Sequence, residues 1–192
     1  MITISRLKTL INIAMCLTML SVGYLYPDDL EILKISTHPL LLYCVLDIAG
    51  NSWDMVTHHV STIMVGLAMN YSYPTQNNEV TVMVARSLIL TEISTIFLDL
   101  IYLGYRHFLV KLGFILTFTY FRVIGLPWLF VFNSETCYFC TGRENYVCDS
   151  RTLCHMMWSV GISTLMLLNC MWFSKLITKI LKKNNPNSTI KG

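Results

Sequence analysis

Residues 156–177 have the sequence MMWSVGISTLMLLNCMWFSKLI, in which Lys175 is the only charged residue. About twenty predominantly apolar residues are enough to cross the hydrocarbon core of a bilayer as an α-helix. The few polar residues here do not alternate with the period of an amphipathic helix or strand, so this stretch has no clear water-facing side. The stretch therefore predicts a transmembrane helix.

Five more apolar stretches precede it, and the chain as a whole has the composition of a membrane protein. It is 54% hydrophobic and 13% charged, whereas an average soluble domain has about 25% charged residues. We therefore expect an all-α fold, an integral membrane helical bundle with about six transmembrane helices. Residues 39–49 make a short stretch, so residues 39–71 form either two full crossings or a hairpin that does not fully cross. The five stretches are 10–26, 39–49, 53–71, 80–102 and 109–132.

The distribution of lysine and arginine predicts the orientation. With the N-terminus in the cytosol, the inner segments hold nine of these residues and the outer segments three, as the positive-inside rule requires. Both termini are then cytosolic. The apolar run of residues 10–26 lacks a convincing cleavage site, which favours a retained span over a cleaved signal peptide. The net charge of +3, without basic residues interleaved with aromatic ones, gives no support for nucleic-acid binding.

Four cysteines fall in the predicted outer loop of residues 133–155. In an oxidising compartment they would form disulfides. Their spacing, together with the neighbouring His155, also suits zinc, which takes four thiolate or imidazole ligands. We expect disulfides rather than zinc, because the redox state of the compartment is a stronger indicator of cysteine chemistry than the spacing of the cysteines. The four are Cys137, Cys140, Cys148 and Cys154.

The third stretch opens with ionisable residues at helical spacing. Asp54, His58 and Thr62 are four residues apart and share one stripe of a helix, with His59 about 100° round the axis. Ionisable groups at membrane depth normally face the protein interior and mark a functional site. We expect Asp54 to orient the His58 ring as a base or nucleophile. The alternative is that both histidines are solvated at the interface without a chemical role. Adjacent histidines point in different directions, which argues against a metal site.

The fourth and fifth stretches carry charges that need partners inside the bundle. Glu92 and Asp99 are seven residues apart and share a helix face, and Arg122 follows in the next stretch. Arg122 is therefore available for an ion pair with Glu92 or Asp99. The alternative is an anion clamp for a lipid headgroup or for phosphates.

Three segments carry a family resemblance. Residues 53–62 (WDMVTHHVST) resemble the HHxxT-centred signature of the TLC-domain family, membrane proteins that include ceramide synthases. Residues 92–99 (EISTIFLD) look like the family's next helix, and residues 118–127 (FTYFRVIGLP) look like its aromatic, arginine and proline segment. The resemblance covers about residues 30–180 and implies a TLC-like membrane domain there, between the predicted first span in residues 1–29 and a polar cytosolic tail in residues 181–192. It also implies histidines that line an intramembrane cavity, and an endoplasmic reticulum location.

The chain also departs from the ceramide synthases. These carry an HDxxD pattern where this chain has Thr91, Glu92 and Thr95, so the histidine and one carboxylate are lost. The resemblance then favours relatives that sense, traffic or regulate membrane lipids, with lipids as the binding partners and no cofactor. The alternative is an acyltransferase that uses acyl-CoA as co-substrate and transfers the acyl group to a sphingoid base.

In either reading the site residues are the same, and the sequence leaves open whether the protein is an enzyme. A channel or transporter has no repeat or selectivity motif in its favour. The sequence does not define the oligomeric state. The catalytic candidates are His58, His59 and Glu92, and the ligand-binding candidates are Asp54, Thr62, Asp99 and Arg122.

Overall fold

The computed structural model describes residues 3–49, 51–71, 78–132 and 153–184, and within these ranges the chain is helical, without strands. This confirms the all-α fold class. The cysteines 137, 140 and 148 lie outside the described residues, as does the side chain of Cys154. The helices are α1 (Ile4–Leu25), α2 (Leu30–Asp47), α3 (Trp53–Tyr71), α4 (Asn78–Leu90), α5 (Glu92–Tyr102), α6 (Phe108–Thr117) and α7 (Leu153–Asn184).

Within the described residues, four helical stretches are long and apolar enough to cross a membrane. Two of them combine neighbouring elements, since α4 leads into α5 and α6 continues as π-helix over Phe118–Gly125 and Trp128–Phe132. The finding agrees with a helical membrane bundle. The four are Ile4–Leu25, Thr81–Tyr102, Phe108–Phe132 and Met156–Ile180.

The start of α2 differs from the expectation that this span begins at Pro39. The helix begins nine residues earlier, because the Asp29 side chain accepts a hydrogen bond from the Ile32 amide (3.0 Å) and so caps the first turn. Pro39 is tolerated inside the helix. With 18 and 19 residues, α2 and α3 are each about 27–29 Å long at 1.5 Å per residue, close to the thickness of a bilayer core.

The helices run between two ends of the bundle. At the proximal end, α1 begins, α2 ends and α3 begins, and Lys8 there pairs with Asp47 (2.9 Å). The C-terminal part of α7 lies at the same end, where Lys175 approaches Asp54 (3.5 Å). The start of α1 and the end of α7 therefore share one end, as an even number of crossings requires.

An apolar core fills the middle of the bundle and the end opposite the proximal end, which we call the distal end. Leu33, Phe130, Trp158 and Ile162 are fully buried, and the rings of Phe130 and Trp158 meet edge to face with centroids 5.9 Å apart. Where α7 meets α3, Gly161 lets the backbones approach closely, as small residues do in membrane helix pairs. Large apolar side chains also cover the outside of the bundle, as expected where lipid replaces water.

Pro127 lies between the two π-helical segments that follow α6. It cannot donate a backbone hydrogen bond and therefore interrupts the regular helical ladder. π-Helical turns are often found at functional sites. The first of the two segments carries Arg122, which is buried and points to the interior.

Candidate functional site

A cavity of about 930 Å³ lies at the proximal end, between α1, α2, α3, α5, α6 and α7. It is lined by all seven residues that the sequence singled out, from three separate parts of the chain. The structure thus brings them together around one space, while their catalytic and binding roles stay predictions. The seven are Asp54, His58, His59, Thr62, Glu92, Asp99 and Arg122.

Arg122 is held by a cluster of polar groups at the start of α5, which we call the arginine cluster. Its Nε donates to Ser94 Oγ (2.8 Å) and to the Thr91 carbonyl (3.3 Å). Its Nη2 donates to Thr95 Oγ1 (2.8 Å) and to Glu92 Oε1 (3.4 Å). Both side chains of the ion pair are almost completely buried, at 7% and 13% exposure. Thr95, which stands where ceramide synthases have a carboxylate, is a hydrogen-bond partner of the arginine.

Asp99 has a different partner from Glu92. It is buried at 7% exposure, and Asn12 Nδ2 of α1 donates to its Oδ2 (2.8 Å). Sequence reasoning missed this contact, although Asn12 is an amide in an otherwise apolar stretch. The contact holds α1 against α5 across the cavity.

His59 is paired with a carboxylate that the sequence analysis did not assign to it. Its Nε2 lies 3.3 Å from Asp47 Oδ2, at the end of α2, and Asp47 also accepts a hydrogen bond from Lys8. Asp47 lies in residues 39–49, which the sequence analysis treated only as a short apolar stretch. The fold closes α2 onto α3 and brings this carboxylate beside the imidazole, an arrangement that can orient the ring for proton transfer.

The expected pair of Asp54 and His58 is wrong. Asp54 instead accepts hydrogen bonds from Trp172 Nε1 (3.0 Å) and Ser52 Oγ (2.5 Å), and its carboxylate also meets Lys175. The His58 ring instead packs at a tilt against Trp172, with ring centroids 5.2 Å apart and an angle of 57° between the ring planes. Helical spacing places Asp54 and His58 on one face of α3. The Asp54 carboxylate nevertheless binds Trp172 of α7 rather than His58.

Beneath the cavity lies a second space of about 70 Å³, which we call the inner chamber. His58, Thr62, Glu92 and Arg122 line both spaces and so separate them. Most of the other walls are apolar, and α7 contributes Asn169. The site therefore changes from polar at the proximal end to apolar in the interior.

The arrangement can hold a polar group between charged side chains and offer it an oriented imidazole. In the described part of the chain, no three His, Cys, Asp or Glu side chains are grouped so as to hold a metal ion. A family model described as TLC domain matches residues 10–178. No curated protein and no solved structure matches the chain.

Proposed function

Because this chain belongs to the TLC-domain family, as a match over residues 10–178 shows, we propose that it handles membrane lipid by binding it in the cavity at the proximal end. The cavity volume of about 930 Å³ is at the upper end of the usual range for ligand sites, about 300–1,000 Å³. A space of this size between membrane helices is the observation that carries the proposal.

The lining of the cavity also supports an amphiphilic ligand. Lys8 and Asp47 stand at the proximal end, while apolar groups such as Leu98 and Phe118 line its sides. The inner chamber continues the apolar surface towards the middle of the bundle. A lipid also combines a polar headgroup with an apolar chain, which matches the polar proximal end and the apolar sides of the cavity. Its headgroup would lie at the proximal end, and its chain would lie along the apolar sides of the same cavity.

The orientation in the membrane is part of the proposal. We place the proximal end in the cytosol, because lysines of α1 and α7 gather there, and we place the protein in the endoplasmic reticulum by family resemblance. A C-terminal tag in sealed vesicles whose cytosolic side faces out should then be digested by added protease. Full protection of the tag would contradict this orientation.

Lipid binding is tested by filling the cavity with a larger side chain. Leu98 lines the cavity, so Leu98→Trp should occlude it. Leu116 is 59% exposed on the outer surface, so Leu116→Trp makes the same exchange away from the site. We expect lipid that co-purifies with the wild-type protein, measured by mass spectrometry after extraction, to be lost in Leu98→Trp and kept in Leu116→Trp. Equal lipid content in the three proteins would contradict the proposal.

The paired histidine favours a second candidate, an acyl-CoA-dependent N-acyltransferase. His59 beside Asp47 has the geometry of an oriented base, and Glu92 lines the same cavity. The test is incubation of the purified protein with labelled acyl-CoA and a long-chain base. Activity that disappears when His58 and His59 are changed to alanine would support catalysis, and no acyl transfer by the wild-type protein would leave lipid binding as the function.

A further inference from the structure

Asn169 is an amide side chain buried deep inside the bundle, on α7. It is 1% exposed, and neither its Nδ2 nor its Oδ1 has a hydrogen-bond partner among the described residues. Buried amide groups are hydrogen-bonded in the great majority of structures, so two unpaired atoms on one side chain need an explanation. An absent ligand group is such an explanation when the side chain faces a cavity.

The inner chamber is that cavity. Asn169 lines it from α7, and His58 lines it from α3, where its Nδ1 is also enclosed without a hydrogen-bond partner in the described chain. The volume of about 70 Å³ corresponds to roughly two water molecules. The space is therefore large enough for one small polar group and too small for a headgroup.

The charged residues that line the inner chamber indicate whether the bound polar group is ionised or neutral. Its charged lining residues, Glu92 and Arg122, are paired with each other. Among the described lining residues, which are mostly apolar, an ionised group would therefore have no free counter-charge. An amide side chain, in contrast, offers one donor group and one acceptor, as a hydroxyl or another amide requires.

We propose that the inner chamber binds one uncharged hydroxyl or amide group of a lipid, with Asn169 as its hydrogen-bonding partner. The inference rests on the proposed lipid binding and specifies the ligand as a neutral long-chain alcohol or amide. The His58 ring stands at the boundary with the larger cavity and contacts the same group. The rest of the ligand lies in the larger cavity.

The test compares a labelled long-chain primary alcohol with the alkane of equal length, using the full chain in nanodiscs and correcting for uptake by empty nanodiscs. The wild-type protein should bind the alcohol about tenfold more tightly than the alkane, the effect of one to two hydrogen bonds in a buried site. Asn169→Leu should reduce this ratio to about one without weakening alkane binding. Asn169→Ser, which keeps a hydroxyl, should retain part of the ratio.

The control is Cys170→Ser, at an exposed position next to Asn169 on α7, which should keep the full ratio. Equal binding of alcohol and alkane by the wild-type protein would overturn this inference and leave lipid binding intact. An unchanged ratio in Asn169→Leu would overturn it as well and is the result expected if the chamber holds only water. Failure of the wild-type protein to bind either ligand would overturn both proposals.

Discussion

The arginine cluster and the inner chamber are adjacent, but their buried polar groups differ in whether they have hydrogen-bond partners within the protein. In the arginine cluster, Nε and Nη2 of Arg122 are both committed to protein acceptors, and Glu92 has a cationic partner. In the inner chamber, both polar atoms of Asn169 have no hydrogen-bond partner in the part of the chain that the structure describes. The buried charges of Arg122 and Glu92 thus have partners inside the protein, whereas the neutral amide of Asn169 has none among the described residues. From this comparison we expect the arginine cluster to stabilise the bundle and Asn169 to bind a ligand.

The largest effect is expected from breaking the buried ion pair. Arg122→Met removes the donors of the arginine cluster and leaves Glu92 as an uncompensated buried charge. Loss of one partner of such a pair costs about 3–5 kcal/mol. We expect a decrease of that size in the free energy of unfolding, measured by denaturation with SDS from detergent micelles.

The double variant Arg122→Met, Glu92→Leu is the control for this prediction. Because it removes both charges, it should recover most of the lost stability. A double variant as unstable as the single one would show that the hydrogen bonds of Arg122 to Ser94 and Thr95 matter more than the charge of Glu92. The arginine cluster would then be a hydrogen-bond network rather than an ion pair.

Much of the fold followed from the sequence, because lipid requires long apolar helices. Residues 53–71 were predicted as a span and form α3 with the same bounds. The predicted start of this helix at residue 39 was wrong, because the Asp29 cap lets α2 begin at Leu30. A single side-chain cap decided that boundary, and hydropathy does not detect caps.

The site was harder to predict because its contacts join distant segments. The residues around the cavity were identified by their charge in apolar stretches, but their partners were not. Helical spacing predicted Asp54 beside His58, whereas the fold places Trp172 on Asp54 and Asp47 beside His59. Asn12 and Asn169 were missed, since an isolated amide in a span gives a weak signal without knowledge of the helix that faces it.

A smaller effect is expected from crowding the helix pair beside the inner chamber. A Cβ on Gly161 of α7 would lie 2.7 Å from Val65 Cγ2 and 3.1 Å from the Ser61 carbonyl of α3. Gly161→Ala should therefore lower the free energy of unfolding by about 1–3 kcal/mol, the usual cost of overpacking. Measured in the same SDS titration, it should also weaken binding in the chamber, which Val65 lines.

Gly23→Ala is the matched control for Gly161→Ala. Its Cβ would lie 3.4 Å from Ile89 Cγ2, an ordinary contact, and alanine favours the helix more than glycine does. It should not destabilise the protein. Equal losses in the two variants would mean that the pair of α3 and α7 is no more tightly packed than the rest of the bundle.

The third prediction has the opposite sign. Without ligand, the unpaired amide of Asn169 destabilises the protein, so Asn169→Leu should raise the free energy of unfolding by about 1 kcal/mol in lipid-free detergent. The same titration checks it, with Cys170→Ser as the reference on α7. A loss of stability in Asn169→Leu would show that the amide already has a partner in the unliganded protein. The contrast with the arginine cluster would then fail.

The smallest effect is expected at the proximal end, where an ion pair of similar chemistry is only partly buried. Lys8 lies 2.9 Å from Asp47, but 46% of its side chain is exposed, and exposed pairs contribute about 0–1 kcal/mol. Lys8→Gln should therefore change the free energy of unfolding by less than about 1 kcal/mol, and added salt should remove what remains by screening. Arg122→Met in the same salt series should keep its loss, because that pair is shielded from solvent. A loss in Lys8→Gln as large as that in Arg122→Met would mean that the proximal end lies within the hydrocarbon rather than at its surface.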